Sequence, residues 1–396
     1  MTTNLTNSTN KVPNVPPLRF PEFTGEWEKI KVSDLLDFYS TNSLSWEQLE
    51  YDTTNLLNLH YGLIHIGLPT LIDLRTSKLP NIKKECLPTK YEICKEGDVA
   101  FADASEDTNE VAKVVELYNL NGKKVVCGLH TIQGRDNKGK TILGYKGYAL
   151  SSQPFHFQIR RLAQGTKIYA VSVKNFTESY ISIPSKEEQR KIVSLLSLLD
   201  SRIETQNKII EDLKTLKSAI SAKEFAGLKE CFVERLGNLC SITTGKLDAN
   251  AMIDDGQYMF FTCSRENYRT DTFIFEGEAL LIAGNGEIGS VKYYNGKFNA
   301  YQRTYVLQNF LTNIKYLQFY IEYNLPKRVM KEKNVGAMPY IVLSTLADMP
   351  IQLPNLQTQK HIVQALQAIE NKIDMESNLL VLLSTQKQYL LQQMFI

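Results

Sequence analysis

The chain has 396 residues, 43% of them hydrophobic and 22% charged, with a net charge of +2. This is an ordinary globular composition with enough chain for two or three cores, which excludes collagen-like and intrinsically disordered classes. No stretch approaches the ~18 consecutive apolar residues of a spanning helix, and the Thr/Asn-rich segment from Met1 to Asn14 has neither region of an export signal, so a cytoplasmic protein is expected. The six cysteines (Cys86, Cys94, Cys127, Cys231, Cys240, Cys263) show no ligand spacing and are expected as reduced core residues.

In chain order, residues 1–20 are expected to form a disordered tail, followed by a leading segment Val32-Ser33-Asp34-Leu35. Acids dominate between Glu85 and Glu116, and the balance reverses from Lys123 to Lys174. A turn at Gly97-Asp98 leads into a strand from Val99 to Ala102, then a strand-like run from Val111 to Tyr118, then Asn121-Gly122-Lys123 and a strand from Val125 to Cys127. Asn-Gly between strand-like runs predicts a hairpin, because both central residues of a type I′ turn need positive φ. After Ile183-Pro184, Ser185 and Glu188 form a capping box that opens a helix from Lys186 to about Glu224, roughly 58 Å long at 1.5 Å per residue. The leading segment returns as Leu236-Gly237-Asn238-Leu239. Gly277-Glu278 leads to Ala279 to Ala283, then Ser290 to Tyr294 and Asn295-Gly296-Lys297, and basic residues again prevail between positions 292 and 333. Asn355 caps a last helix over residues 356–394.

The two helix segments repeat each other at a constant offset, and the segments between them correspond in order. Pro184 answers to Pro354 (354 − 184 = 170), and the same offset pairs Gln189 with Gln359 and Lys217 with Lys387. In the first helix Ile192, Leu196, Leu199, Ile203, Ile210 and Leu213 step by threes and fours, and Ile362, Leu366, Ile369, Ile373, Leu380 and Leu383 repeat them. That is a heptad seam, predicting coiled-coil packing and a subunit interface, with Gln206/Glu376 and Lys217/Lys387 as matched polar interruptions that fix register. The expected fold is mixed α/β (α+β): two α/β globules, at residues 21–183 and 227–353, separated by long coiled-coil helices at 184–226 and 354–396, with an internal pseudo-twofold repeat.

A basic stretch recurring once per copy suits two phosphate-contacting surfaces. The candidate DNA contacts are Arg135, Lys138, Lys140, Lys146, Arg160, Arg161 and Lys167 in the first globule, and Arg265, Arg269, Lys292, Lys297, Arg303, Lys327 and Arg328 in the second. Most are expected on phosphates. Two glycine motifs compete with this reading. Gly134 to Thr141 fits the phosphate-binding GxxxxGK[ST] pattern, but Ile142 to Tyr148 reads as glycine-broken and strand-like where a helix is required. Gly284-Asn-Gly286-Glu-Ile-Gly289 fits GxGxxG, yet leads toward a hairpin and is read as turns. No HExxH, GxSxG or paired His/Cys cluster is present, and the five histidines are scattered, so no catalytic residue and no metal ligand is expected. Glu370 and Lys372 are spaced as in some nucleases but lie on the second heptad helix, where a solvated charge pair is expected.

The helix starts at Pro184 to Arg190 and Pro354 to Lys360, each opening a heptad helix, are similar to the conserved regions of specificity (S) subunits of type I restriction-modification systems. Leu18 to Phe23 with Gly25-Glu26-Trp27 looks like the start of their first target-recognition domain, Gly128 to Ile132 resembles a segment inside it, and Leu236-Gly237-Asn238 with Thr243 to Lys246 resembles the start of the second. The resemblance implies a non-catalytic reader of a bipartite double-stranded DNA target, its two long coiled-coil helices packed antiparallel, that scaffolds two methyltransferase subunits and restriction/translocase subunits. S-adenosylmethionine, ATP and Mg would then sit on those partners, with no cofactor in this chain. Two other classes stay open, a P-loop nucleotide-binding enzyme and a coiled-coil protein-binding adaptor without DNA readout.

Overall fold

The computed structural model describes residues 13–53, 55–107, 110–165, 167–332 and 340–396. The chain divides into two compact units, Met1–Gln206 with Leu379–Ile396, and Asn207–Asn378. Each holds one globule together with the start of one long helix and the end of the other.

In the first unit a five-stranded sheet runs in the order Asp37–Tyr39, Thr131–Arg135, Val99–Ala102, Val114–Asn119, Leu71–Asp73. Alternation along the central strand divides the core, as the period of two requires. Val99 and Phe101 face a cluster containing Trp27, Tyr145, Tyr148 and Phe176, while Ala100 and Ala102 face one built on Leu59, Ile64 and Ile72. A four-stranded sheet (Val125–Cys127, Leu57–Leu59, Asn81–Ile82, Leu49–Glu50) lies on that second side. The pair Glu28–Lys31 and Tyr180–Ile183 closes the globule onto the helix start.

The second unit carries a six-stranded sheet in the order Ser241–Thr244, Thr304–Gln308, Phe275–Ala283, Val291–Ala300, Tyr258–Phe261, Tyr268–Thr270. Leu280, Ile282 and Leu307 pack against Tyr316, Leu317 and Tyr320 of the helix Ile314–Glu332, while Ala279, Leu281 and Val306 join Phe261 and Phe298 on the opposite face. The pair Phe232–Arg235 and Pro350–Leu353 repeats the closure seen in the first unit.

The long helices span Lys186–Ala226 and Leu356–Gln393. In the first unit Ile192, Leu196 and Leu199 share a core with Leu383, Leu390 and Met394, and in the second Ile362 and Leu366 share one with Phe225. The start of each helix therefore packs with the end of the other, an antiparallel arrangement. Two ion pairs fix its register, Lys387 to Asp200 at 2.6 Å and Lys217 to Glu370 at 2.9 Å. Passing from one to the other descends 17 residues of the first helix (217 − 200) and climbs 17 of the second (387 − 370).

Several local expectations are corrected. Asn121 and Gly122 do take positive φ (49° and 70°), but the strands flanking them join different sheets, so they form a turn without a hairpin. Asn295-Gly296 is no turn. It lies inside the strand Val291–Ala300, with Gly296 opposite Gly277 and Asn295 opposite Glu278. Both glycines have positive φ, 148° and 93°, and they face each other across an unbroken ladder. Of the tail, residues 1–12 lie outside the described residues. Residues 13–20 are held in place: Leu18 N–H donates to the Gln393 carbonyl, and Arg19 pairs with Glu188 at 2.7 Å. The expected capping box is half formed, since the Ser185 hydroxyl accepts from Glu188 N–H (3.3 Å) while the Glu188 carboxylate is taken by Arg19.

Candidate nucleic-acid interface

The two globules carry the same loop arrangement at the start of an inner strand next to the sheet edge. In the first, Thr131 begins its ladder opposite Ala102, and in the second Thr304 begins opposite Ala283. The preceding residue is pinned in both: Asp103 N–H donates to the His130 carbonyl (3.1 Å), and Gly284 N–H donates to the Arg303 carbonyl (3.0 Å). The residue past the partner strand then accepts from the chain entering a short helix, Val171 N–H to Asp103 O and Ile341 N–H to Gly284 O, both 2.8 Å. His130 and Arg303 thus occupy equivalent positions. Around Arg303 three loops are cross-tied: Glu287 N–H donates to Cys263 O, the Cys263 thiol donates to Arg303 O, and Arg265 pairs with Glu287 at 2.9 Å.

The candidate cations separate by burial. Arg135 is 7% exposed, and its guanidinium grips Asp98 through two bonds (2.8 and 2.7 Å) and Glu92 through a third (2.7 Å). Asp98 above all, with Glu92, raises its pKa. Lys146 is 3% exposed, 3.3 Å from a fully buried Glu116. Both are internal struts, since leaving a paired, desolvated charge without its partner is costly, and neither belongs among the DNA contacts. Lys292 ties the 264–267 loop, donating to the carbonyls of Ser264, Arg265 and Glu266 and to Asn267 Oδ1. Burial pushes its ammonium below the usual lysine range. Lys140 meets Glu28 at 2.8 Å, and Arg328 spans the Asp348 carbonyl and Glu332.

Lys138, Arg160, Arg161, Lys167, Arg265, Arg269, Lys297, Arg303 and Lys327 are exposed. Lys138 and Arg269 use their side chains on backbone carbonyls, of Asp34 and Gly256 respectively. Arg161, Lys297 and Lys327 lie over the rings of Phe157, Phe273 and Tyr323. Arg303 has no side-chain partner among the described residues. It lines an open groove of about 400 Å³ with Thr244, Asn285, Gln302, Tyr305 and Tyr340.

The GxxxxGK[ST] segment is closed on itself. Asp136 accepts from Lys138 N–H and from both the N–H and hydroxyl of Thr141. A helix does follow, Tyr145–Leu150, contrary to the strand-like expectation. Its N-terminal N–H groups are already engaged: Glu116 accepts from Gly144 N–H (2.9 Å) and Gly147 N–H (2.6 Å). Burial pushes that carboxyl above the usual range, opposed by Lys146 and these N–H groups. A carboxylate thus fills the place a phosphate would need. The second glycine motif forms turns, with Gly286 and Gly289 at positive φ before the strand Val291–Ala300.

The heptad seam faces inward within this chain. Ile192, Leu196, Leu199, Ile210, Ile362, Leu366 and Leu383 are buried, and Ile203, Leu213, Ile369, Ile373 and Leu380 are partly buried. The buried ones are thus taken up within this chain, in the seam between its own two helices. A second set was hidden in the sequence beside the first. Leu195, Leu198, Ile209 and Leu216 on the first helix, with Met375, Leu382 and Tyr389 seven apart on the second, leave large apolar side chains in solvent. On the second helix Glu370 pairs with Lys217, and Lys372 pairs with Glu376, so the nuclease-like spacing is a structural pair of contacts.

Residues 77–215 and 229–384 match the type I restriction modification DNA specificity domain, and the chain belongs to that family. It is 38% identical over 139 residues to the type I restriction enzyme EcoDI specificity subunit of Escherichia coli, covering 35% of this chain and 31% of that protein. To the putative specificity subunit S.MpnORF365P of Mycoplasma pneumoniae it is 27% identical over 216 residues, covering 50% of this chain and 78% of the other. The fold resembles the crystal structure of a type I restriction-modification S subunit from M. genitalium, with TM-score 0.60 and 18% identity over 96% of this chain and 99% of that one. No helix among the described residues is long and apolar enough to cross a membrane.

Proposed function

We propose that this chain is the DNA-reading subunit of a type I restriction-modification complex in the cytoplasm, each globule reading one half of a split duplex site. The observation that carries this reading is the repeated loop arrangement, in which each globule pins the backbone of a residue with a hydrogen-bonding side chain, His130 or Arg303, just before an inner strand. A duplicated protein suits a bipartite target and paired copies of a partner. The apolar stripe on the outer faces of the long helices supports docking of methyltransferase subunits, since contiguous exposed apolar surface marks an interaction site. The chain itself is non-catalytic on this reading. S-adenosylmethionine, ATP and Mg belong to the methyltransferase and restriction subunits, and the adenine methylation and cleavage with them.

Genome-wide mapping of methylated adenine in cells expressing this chain with its methyltransferase tests the reading. A single split sequence with a fixed gap is expected, and methylation without sequence preference, or unchanged when this chain is deleted, would remove it.

A further inference from the structure

We propose that the residue immediately before the strands Thr131–Arg135 and Thr304–Gln308 is a base-reading position in both globules, with Arg303 reading a guanine in one half-site and His130 contacting a base edge in the other. This rests on the DNA-reading function above and adds which side chains choose the sequence.

Four observations lead there. First, the position is defined by topology: the Thr131↔Ala102 and Thr304↔Ala283 pairings and the two matched backbone bonds place His130 and Arg303 at the same point of two globules that differ in sequence and strand number. Second, the backbone there is rigid. The Arg303 carbonyl accepts from Gly284 N–H and from the Cys263 thiol, while Gly284 O holds Ile341, whose own carbonyl accepts from the Tyr305 hydroxyl (3.0 Å). His130 sits in the left-handed region at φ 53°, a conformation kept only where surroundings enforce it. A phosphate contact needs only a cation on a flexible stem, whereas a bidentate contact to guanine N7 and O6 needs a fixed origin for the side chain.

Third, Arg303 has no carboxylate partner among the described residues to release before binding, unlike Arg265, Arg328, Lys140 and Arg135. Its neighbours in the groove, Asn285, Gln302, Thr244 and Tyr340, carry amides and hydroxyls, the groups that contact base edges, rather than further cations. Fourth, His130 is half exposed, is oriented by Asp103 through Nδ1 (3.0 Å), and stands edge-on to the Tyr61 ring at 5.2 Å. One ring nitrogen is thereby committed to the protein and the other is left for a ligand.

The test uses the full chain assembled with its methyltransferase subunits, binding a library of duplexes randomised at every position of the recognised site. Arg303→Ala is expected to lose preference for guanine at one position of one half-site by about five- to a hundredfold, the fold-change equivalent of the ~1–3 kcal/mol carried by a bidentate pair. The other half-site should keep its preferences. His130→Asn, chosen because Asn tolerates the left-handed backbone, should relax one position of the other half-site. Lys297→Ala, on an exposed lysine mid-strand, should weaken all sequences alike. If Arg303→Ala lowers binding equally for every sequence, or if both variants alter the same half-site, the assignment is overturned. If the wild-type complex selects no sequence at all, the DNA-reading function fails and the assignment falls with it.

Discussion

The ammonium of Lys217 lies 2.9 Å from the carboxylate of Glu370. The same contact recurs 170 residues away in each partner, as Lys387 with Asp200. The lysine break in each heptad is therefore one member of a repeated lock between the helices. Burial pulls the Lys217 ammonium down, but Glu322 and Glu370 together more than offset this and leave it raised. Lys217 neutralises two acids, Glu322 and Glu370, whereas Lys387 neutralises Asp200 alone. Lys217→Met should cost about 1–3 kcal/mol, and Lys387→Met less. Urea unfolding midpoints check the order; an equal or larger loss for Lys387→Met would contradict it.

Glu116 and Lys146 form a buried pair, and removing one member should be worse than removing both. Glu116→Gln is expected to cost about 3–5 kcal/mol, and Glu116→Gln with Lys146→Met distinctly less, as a double-mutant cycle would measure. The pH dependence has a defined sign. The folded Glu116 carboxyl is raised above its ordinary value, so its contribution to stability is fully present below that value and is lost as pH rises through the folded pKa. That falling component should be absent from the double variant.

The inward seam and the outer stripe should separate in experiment. Leu196→Asp places a charge in the core of the first unit and should destabilise the chain by about 3–5 kcal/mol. Leu198→Lys and Leu382→Lys alter residues that are 68% and 66% exposed, so melting should be nearly unchanged while co-purification with the methyltransferase is lost. Retained assembly in both lysine variants would place the docking surface elsewhere.

If the helices set the gap between half-sites, lengthening only one would break the register between the two ion pairs. Four residues inserted near Thr205 to Lys208 must be matched by four near Met375 to Asn378, between the same two contacts. The paired insertion adds roughly 6 Å, and the recognised gap should grow by about one or two base pairs at ~3.4 Å each. Mapping methylated sites for the paired insertion measures the gap directly. An unchanged gap in a complex that assembles would show that the helices are not the spacer.

The long helices and the duplication were legible because apolar periodicity and a constant offset survive without tertiary information. Arg135 and Lys146 were not, because what removes them from the surface is pairing with Asp98 and Glu116, acids 37 and 30 residues away in the chain. Asn295-Gly296 carries a strong local turn signal that a nine-residue partner strand overrides. The outer stripe was masked by its own neighbour, since each of its residues precedes a seam or register position by one. His130 drew no notice among scattered histidines, because only sheet register shows it to be the counterpart of Arg303.

The glutamine that opens each long helix has one more consequence. Gln189 donates to the carbonyls of Lys140 and Pro184 and accepts from Ile142 N–H, while Gln359 donates to the Pro354 carbonyl and accepts from the Thr312 hydroxyl. The first of these couplings uses main-chain atoms alone, which every residue type provides. A joint of that kind is indifferent to the side chains of whatever is plugged into it. The Gln189 contact therefore asks of a globule only one N–H and one C=O at the place that residues 140–142 now fill, whereas Tyr148 on Asp200 and Arg19 on Glu188 are contacts that depend on residue type.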